Sequence, residues 1–321
     1  MSFPATGRVL AALLCTLAGC SGARSDAEAR PAGGTAVAAG ATTAEFDGTA
    51  ALAAVRAQLA FGPRVPGTPA HQAAGDWLVA ELARRADTVV VQRWTHRAAD
   101  GRALPLRNIL ARFRPEAARR VLYVAHWDSR PVADGPGARD RTAAVPGGND
   151  GGSGVAILLG VAEALARRPA SVGVDLLLVD GEDFGDFDTD TDVLLGSRYF
   201  AEHLPAPGYA PLFGVLWDMV GEPGAVFEQE ANSAQGAPEV VRRVWSTAQR
   251  LGYGAMFTNR AGLSITDDHV PLLAKGLRVI DVIDLDYAWH HTAEDTADKV
   301  SAETLGAVGR VAVALIRELD G

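Results

Sequence analysis

Histidines and carboxylates recur in this chain where apolar runs end. His126 and Asp128 stand in YVAHWDS, Asp150 in GGNDGGSG, Glu182 and Asp183 in LLLVDGEDFG, Asp218 in VLWDMVG, and His291 in AWHHTAEDT. Any one of them is what a polar loop after a strand carries for ordinary reasons, capping the next helix or facing water. Together they supply nitrogen and oxygen ligands of the kind a catalytic zinc takes when one coordination position stays open. The neighbours Glu182 and Asp183 add something a structural metal site does not need. Adjacent residues on an extended end project to opposite sides, so one can bind the metal while the other handles a proton at the substrate.

Such positions, separated by more than 160 residues between His126 and His291, can meet only if the strand ends converge. An open α/β sheet does this, because the carboxyl ends of its strands border one crevice. The patterning agrees. Helices are predicted near 47–60 and 69–85, with the Pro/Gly turn GPRVPGTP between them, followed by the extended stretch TVVVQRWTHR and strands NILARF and VLYVAHWD. Next come the helix GVAILLGVAEALARR, strand VGVDLLLVD, helix GSRYFAEH, strand FGVLWDMV, a helix within 238–251, helix HVPLLAKG, strand RVIDVIDL and a terminal helix SAETLGAVGRVAVALIREL. Apolar runs without alternation, such as VDLLLVD, suit strands buried on both faces. The expected fold is therefore α/β: an open, mixed, mostly parallel twisted sheet with helices on both faces and the site at the strand carboxyl ends.

With 48% hydrophobic and 21% charged residues, the 321-residue chain has a globular composition. Its net charge of -9, with no basic cluster larger than a pair or triplet, argues against nucleic acid as a partner. Arg8 precedes a short apolar run, VLAALLCTLAG, too short to span a bilayer and shaped like a signal segment. That run ends in Leu17-Ala18-Gly19-Cys20, which is similar to the lipobox of bacterial lipoproteins. Residues 1–19 are thus expected to be a lipoprotein signal peptide, with Cys20 lipidated and the protein held on a membrane of the bacterial cell envelope, facing the periplasm or the exterior. Residues 20–44, rich in Ala, Gly and Thr, read as a flexible tether, and residues 45–321 as one catalytic domain. Cys15 leaves with the signal and Cys20 carries lipid, so a cysteine nucleophile and an internal disulfide are both excluded.

The order H-x-D, N-D-G-G-S-G, a paired E-[ED], D-M-V-G and H-T-x-x-D-T resembles the M28 family of zinc peptidases and their relatives the zinc-dependent glutaminyl-peptide cyclotransferases, over roughly residues 60 to 318. FGPRVPGTPAH, AHWDSRP, the pair written Glu-Asp, LLGSRYFA and Asp267-Asp268-His269 lean to the cyclotransferase branch. That resemblance implies an enzyme acting on the N-termini of peptides or proteins, with one zinc held by Asp150, Asp183 and His291. Glu182 would be the general base and acid, and Asp218 and Asp267 would complete its carboxylate network. An aminopeptidase of the same family would instead carry two zincs, with His126 and Asp218 on the second, Asp150 bridging, and Asp128 orienting His126 from behind. Cyclotransferases of this type place tryptophan directly before the ligand histidine, whereas His290 intervenes here between Trp289 and His291. Trp289, His290 and His269 are further candidates for the pocket or for support of the site, and Phe184 and Phe187 for its aromatic wall.

Other signals carry less. Asp186, Asp188, Asp190 and Asp192 alternate as in a calcium loop, but Thr191 stands where glycine is needed and Ser197 where glutamate is, so a solvated acidic loop is expected. Ser153 lies in GGSGV rather than G-x-S-x-G. His71, His96 and His203 fall without acidic company and read as surface or satisfied histidines. A protein of this fold that has lost catalysis and captures peptides or metal is the competing class. Every expected catalytic residue type is nonetheless present.

Overall fold

The computed structural model describes residues 45–320. The lipobox at 17–20, the signal segment 1–19 and the tether 20–44 lie outside the described residues. A six-stranded sheet runs in the order β1-β2-β4-β3-β5-β8. Its strands are β1 (Thr88–Arg97), β2 (Ala103–Phe113), β3 (Arg120–His126), β4 (Gly173–Val179), β5 (Phe213–Trp217) and β8 (Val279–Val282). β1, β2 and β4 pair antiparallel, while β4, β3, β5 and β8 run parallel. The mixed, mostly parallel sheet is the one expected. From β3 the chain returns first to β4 on one side and later to β5 on the other, so the strand order reverses at β3.

The parallel strands are buried from end to end, and their alternate side chains feed two cores. Val121, Tyr123 and Ala125 of β3, with Val174, Leu176 and Leu178 of β4, face helices α1 (Gly48–Leu59), α3 (Gly152–Arg167) and α8 (Ala302–Arg317). Leu122, Val124, Leu177 and Val179 face α4 (Leu195–Glu202) and α7 (His269–Ala274) on the other side. Each such aliphatic chain contributes on the order of 1.5–3 kcal/mol through burial. Tyr123 adds a hydrogen bond through the core, its hydroxyl donating to Ala312 O at 2.7 Å.

Helix ends follow the sequence chemistry. Asp47 accepts from Thr49 N and Ala50 N at the start of α1, Thr68 from His71 N at the start of α2 (Pro69–Ala83), and Ser301 from Glu303 N and Thr304 N at the start of α8. A two-stranded parallel pair, β6 (Phe227–Gln229) and β7 (Phe257–Ala261), joins α5 (Ala231–Gly236) and α6 (Pro238–Arg250) beside β8. Among these, only α6 had been expected.

Candidate metal centre and proton-transfer site

β3 ends on His126, β5 ends one residue before Asp218, and β4 ends three residues before Glu182. A strand end fixes His126, and Asp218 and Glu182 stand in the first residues after theirs. Asp150 comes from the turn that opens α3. Its neighbour Gly151 has φ +72°, and a Cβ there would sit 2.8 Å from the ring of His126, so only glycine lets the turn approach the imidazole. Asp295 secures the same turn from behind, accepting from Asn149 N at 2.8 Å and Asp150 N at 3.1 Å while Tyr287 donates its hydroxyl at 2.5 Å.

The ligand candidates converge. His126 Nε2 lies 3.1 Å from both Asp150 Oδ1 and Asp218 Oδ1. His291 Nε2 lies 3.3 Å from Asp183 Oδ1 and 3.8 Å from Asp150 Oδ2. Ligand atoms of His126, Asp150 and Asp218 fall within 4.8 Å of one another, and so do those of Asp150, His290 and His291. One imidazole nitrogen can donate a single hydrogen, so the two carboxylates facing His126 cannot both be satisfied by it. Asp150 Oδ2, Asp183 Oδ2 and His126 Nδ1 are buried and have no hydrogen-bond partner. Unpaired buried oxygens and nitrogens of this kind, without a thiolate among them, are the donor set of a hard to borderline divalent cation, and zinc fits it.

Two backbone outliers mark the same place. His291 sits at φ +54° and Met219, directly after Asp218, at φ +43°. Non-glycine residues rarely hold this conformation, and they do so where surrounding structure over-determines it.

Glu182 stands on the other side of the pair from Asp183. Its pKa is well above the usual carboxyl range: burial raises it, His126 opposes, and the charges of Asp183, Asp267 and Asp268 raise it further. Asp267 is likewise raised, by burial and by Asp218 and Asp268, and Asp268 is pushed up to about 7, mainly by burial. A pocket of about 350 Å³ is lined by Glu182, Asp218 and Asp267, by Asp150 and His291, and by Met219, Ile265, Ile283 and Phe187. It unites a cation's ligands with carboxyl groups whose proton affinity is raised. That combination can polarise a carbonyl and move a proton beside it.

Several expectations need correction. Asp128 does stand behind His126, 3.7 Å from its Nδ1, but it has a further task that was not expected. Its carboxylate also accepts from Glu182 N at 3.1 Å and Asp183 N at 3.2 Å, and so holds the peptide that carries the Glu-Asp pair. Trp289 is not in the pocket wall. It packs edge-on to Tyr287 at 5.7 Å, under Lys299 at 5.0 Å, while His290 does line the pocket. Phe187 lines the wall, but Phe184 is buried in a separate cluster with Leu104, Leu106 and Leu195. His269 lies behind the pocket, 3.1 Å from Glu230, and is grouped with Asp267 and Asp281. His71 and His96 do have acidic company, Asp180 at 2.8 Å and Asp192 at 2.7 Å, whereas His203 stacks on Tyr199. In the acidic loop, Asp190 pairs with Arg198, Asp192 with His96, and Asp186 accepts from its own turn.

Four supporting residues were not anticipated. Asp134 lies 3.1 Å from His291 Nδ1, which leaves Nε2 turned to the ligand group. Arg130 donates to Asp183 Oδ1 at 2.7 Å and also pairs with Asp134. Asp295 carries the Asp150 turn. Arg64, fully buried, donates to the carbonyls of Trp127, Pro146 and Gly147. Arg64, Arg130 and Asp295 stand inside FGPRVPGTPAH, AHWDSRP and H-T-x-x-D-T, and that was the available signal.

Comparison with known proteins places this geometry. Residues 108–316 match the family described as Peptidase family M28. The crystal structure of Porphyromonas gingivalis glutaminyl cyclase is similar at 39% identity and a TM-score of 0.82, over 85% of this chain and 98% of that one. A Zn-dependent exopeptidase from Parabacteroides distasonis is similar at 38% identity and 0.81, over the same shares. Aminopeptidase YwaD of Bacillus subtilis is 26% identical over 214 residues, 62% of this chain. The chain spans 41% of the length of that aminopeptidase.

Proposed function

This chain belongs to peptidase family M28, and we propose that within the family it is a zinc-dependent glutaminyl-peptide cyclotransferase, converting the N-terminal Gln of peptides and proteins to pyroglutamate with release of ammonia. One observation carries this reading: Glu182 and Asp267, both buried and both raised in pKa, line one small pocket with Asp218 beside the ligand group. A ring closure needs a group that accepts a proton and then gives it back, and raised carboxyls suit both halves.

Asp150, Asp183 and His291 would hold the zinc, which when bound supplies Lewis-acid polarisation of the γ-carbonyl. The substrate brings its own nucleophile, since the α-amine of Gln lies within ring-closing distance of its γ-carboxamide carbon. Glu182 takes a proton from the attacking amine as the new C–N bond forms. It returns that proton to the carboxamide nitrogen as the old C–N bond breaks and ammonia leaves. Burial, with the carboxylates of Asp183, Asp267 and Asp268, holds the proton affinity of Glu182 high, and Asp218 does the same for Asp267. Met219, Ile265 and Ile283 give the pocket an apolar wall that limits water, the competing nucleophile.

A second reading has its own support. His126 and Asp218 converge with Asp150 within 4.8 Å, the arrangement a second zinc of an aminopeptidase would use, with Glu182 then deprotonating water for hydrolysis. Incubation with Gln-Ala and Leu-Ala, together with elemental analysis, separates the two. Ammonia from Gln-Ala, intact Leu-Ala and about one zinc per chain are expected. Free leucine with about two zincs would replace the cyclotransferase reading by the aminopeptidase one. The lipobox at Cys20 supports attachment of this activity to a bacterial envelope membrane.

A further inference from the structure

A second cavity, of about 400 Å³, adjoins the catalytic pocket and shares four lining residues with it: Leu263, Ile265, Ile283 and Leu285. We infer that it seats the second and third residues of a peptide substrate and that its carboxylates select basic side chains there. The inference rests on the proposed action at peptide N-termini, which the cyclotransferase and aminopeptidase readings have in common.

Continuity fixes the occupant. A peptide whose first residue is held among Glu182, Asp218 and Asp267 has to leave the pocket past its wall, advancing about 3.3–3.6 Å per residue when extended. Leu263 and Leu285 form the part of that wall common to both cavities, and they are exposed, 72% and 38%, where large aliphatic side chains usually find cover. Apolar side chains at the rim of a concave polar site are suited to a peptide's backbone and stems, which lose water there without losing a partner.

Charge fixes the preference. Beyond the two leucines the cavity carries Glu228, Glu230, Asp284 and Asp286 against a single cation, Arg260, which is already paired to Glu228 at 2.9 Å, while Glu230 is buried against His269. Asp284 is buried and anchored, accepting from Val226 N at 2.9 Å and Asp286 N at 3.2 Å, so its charge stays at this wall. The local potential is visible on a bystander: Glu222 titrates up at about 7, from burial and then from Asp284 and Asp286. Lysine or arginine stems would lie along the leucines with their charged ends toward Asp286.

The experiment compares kcat/KM for Gln-Lys-Lys-Ala and Gln-Glu-Glu-Ala on the zinc-loaded protein at low and high salt. A preference for the basic peptide on the order of three- to tenfold is expected, shrinking as salt rises. Asp286→Asn should reduce the ratio, and Arg260→Gln should enlarge it by freeing Glu228. Equal rates for both peptides, or a ratio that neither variant moves, overturns the inference. If no Gln peptide releases ammonia, the cyclotransferase reading fails separately, and the same ratio is read from hydrolysis of Leu-Lys-Lys-Ala and Leu-Glu-Glu-Ala. For a chain that turns over neither series, calorimetric binding of the two Gln peptides gives the ratio directly, and equal affinities overturn the inference there too.

Discussion

Asp128→Asn tests how the catalytic pair is held. Asp128 is fully buried, and its two oxygens each take one backbone N–H, from Glu182 and from Asp183. Asparagine keeps the shape but turns one acceptor into an NH2 group, so one peptide N–H faces a donor across a dry gap. Losing a hydrogen bond to a charged group costs about 1.5–3 kcal/mol, and stranding a buried donor about 1–3 kcal/mol. The sum, roughly 2.5–6 kcal/mol, corresponds to a fall in Tm of about 5–24 °C at about 2–4 °C per kcal/mol. The charge on Asp128 also helps offset buried Arg64, which pushes the effect the same way. Thermal and urea unfolding of the zinc-loaded protein would measure it, and kcat should fall with stability because Glu182 rides on the released peptide. A variant melting within about 2 °C of the parent with unchanged kcat would refute the claim that Asp128 positions the pair.

Three further outcomes are expected. Glu182→Gln should retain zinc yet lose on the order of 10²–10⁴-fold in rate, whereas Asp183→Ala should lose zinc and activity together, as read by elemental analysis beside turnover. Glu230, which caps α5 and accepts from Asn232 N, Ser233 N and Ile265 N, has its pKa brought to about 2 against the push of burial by His269, 3.1 Å away, and by bonds from Ser233 and Ile265. A depressed carboxyl stabilises the fold above its unfolded pKa and loses that contribution as pH falls through the folded one, so Glu230→Gln should flatten the decline in stability between about pH 4.5 and 2 in acid-unfolding curves. Cys20→Ala should shift protein expressed in a bacterial host from the membrane to the soluble fraction, and wild-type protein found wholly soluble would remove the lipid anchor.

Strong periodicity made most of the fold readable. The continuous apolar runs VLYVAH and GVDLLLV read as strands covered on both sides, and the first and last helices, at Gly48–Leu59 and Ala302–Arg317, carry the caps that predict them. What escaped was short. β6 has three residues, β7 is half polar as FTNRA, and α5 has six residues, all below the length at which a period can declare itself. Their stability comes from tertiary contacts such as Trp245 on Phe257 and the Glu230 cap, which no local window contains.

In the site, residues that finish a buried strand were legible because a carboxylate or histidine breaking an apolar run is conspicuous. Their supports were not, since a support is defined by what it touches. Asp128 was noticed for standing two residues from His126, yet its partners are the N–H groups of a loop more than fifty residues on. Asp134 looks like an ordinary loop acid until the fold brings it to His291, and Asp295, though part of H-T-x-x-D-T, shows its role only when it meets the Asp150 turn. Of the two roles open to Trp289, support rather than lining is the one it takes. With His291 at φ +54° and His290 lining the pocket, the residue two positions earlier packs on Tyr287, in the cluster of Met219 and Ile283 behind the wall. The same turn bears on metal number: both histidines lie beside Asp150, whose carboxylate also faces His126. Asp150 would therefore be a ligand under either occupancy, and His126 with Asp218 the residues that only a second ion would take.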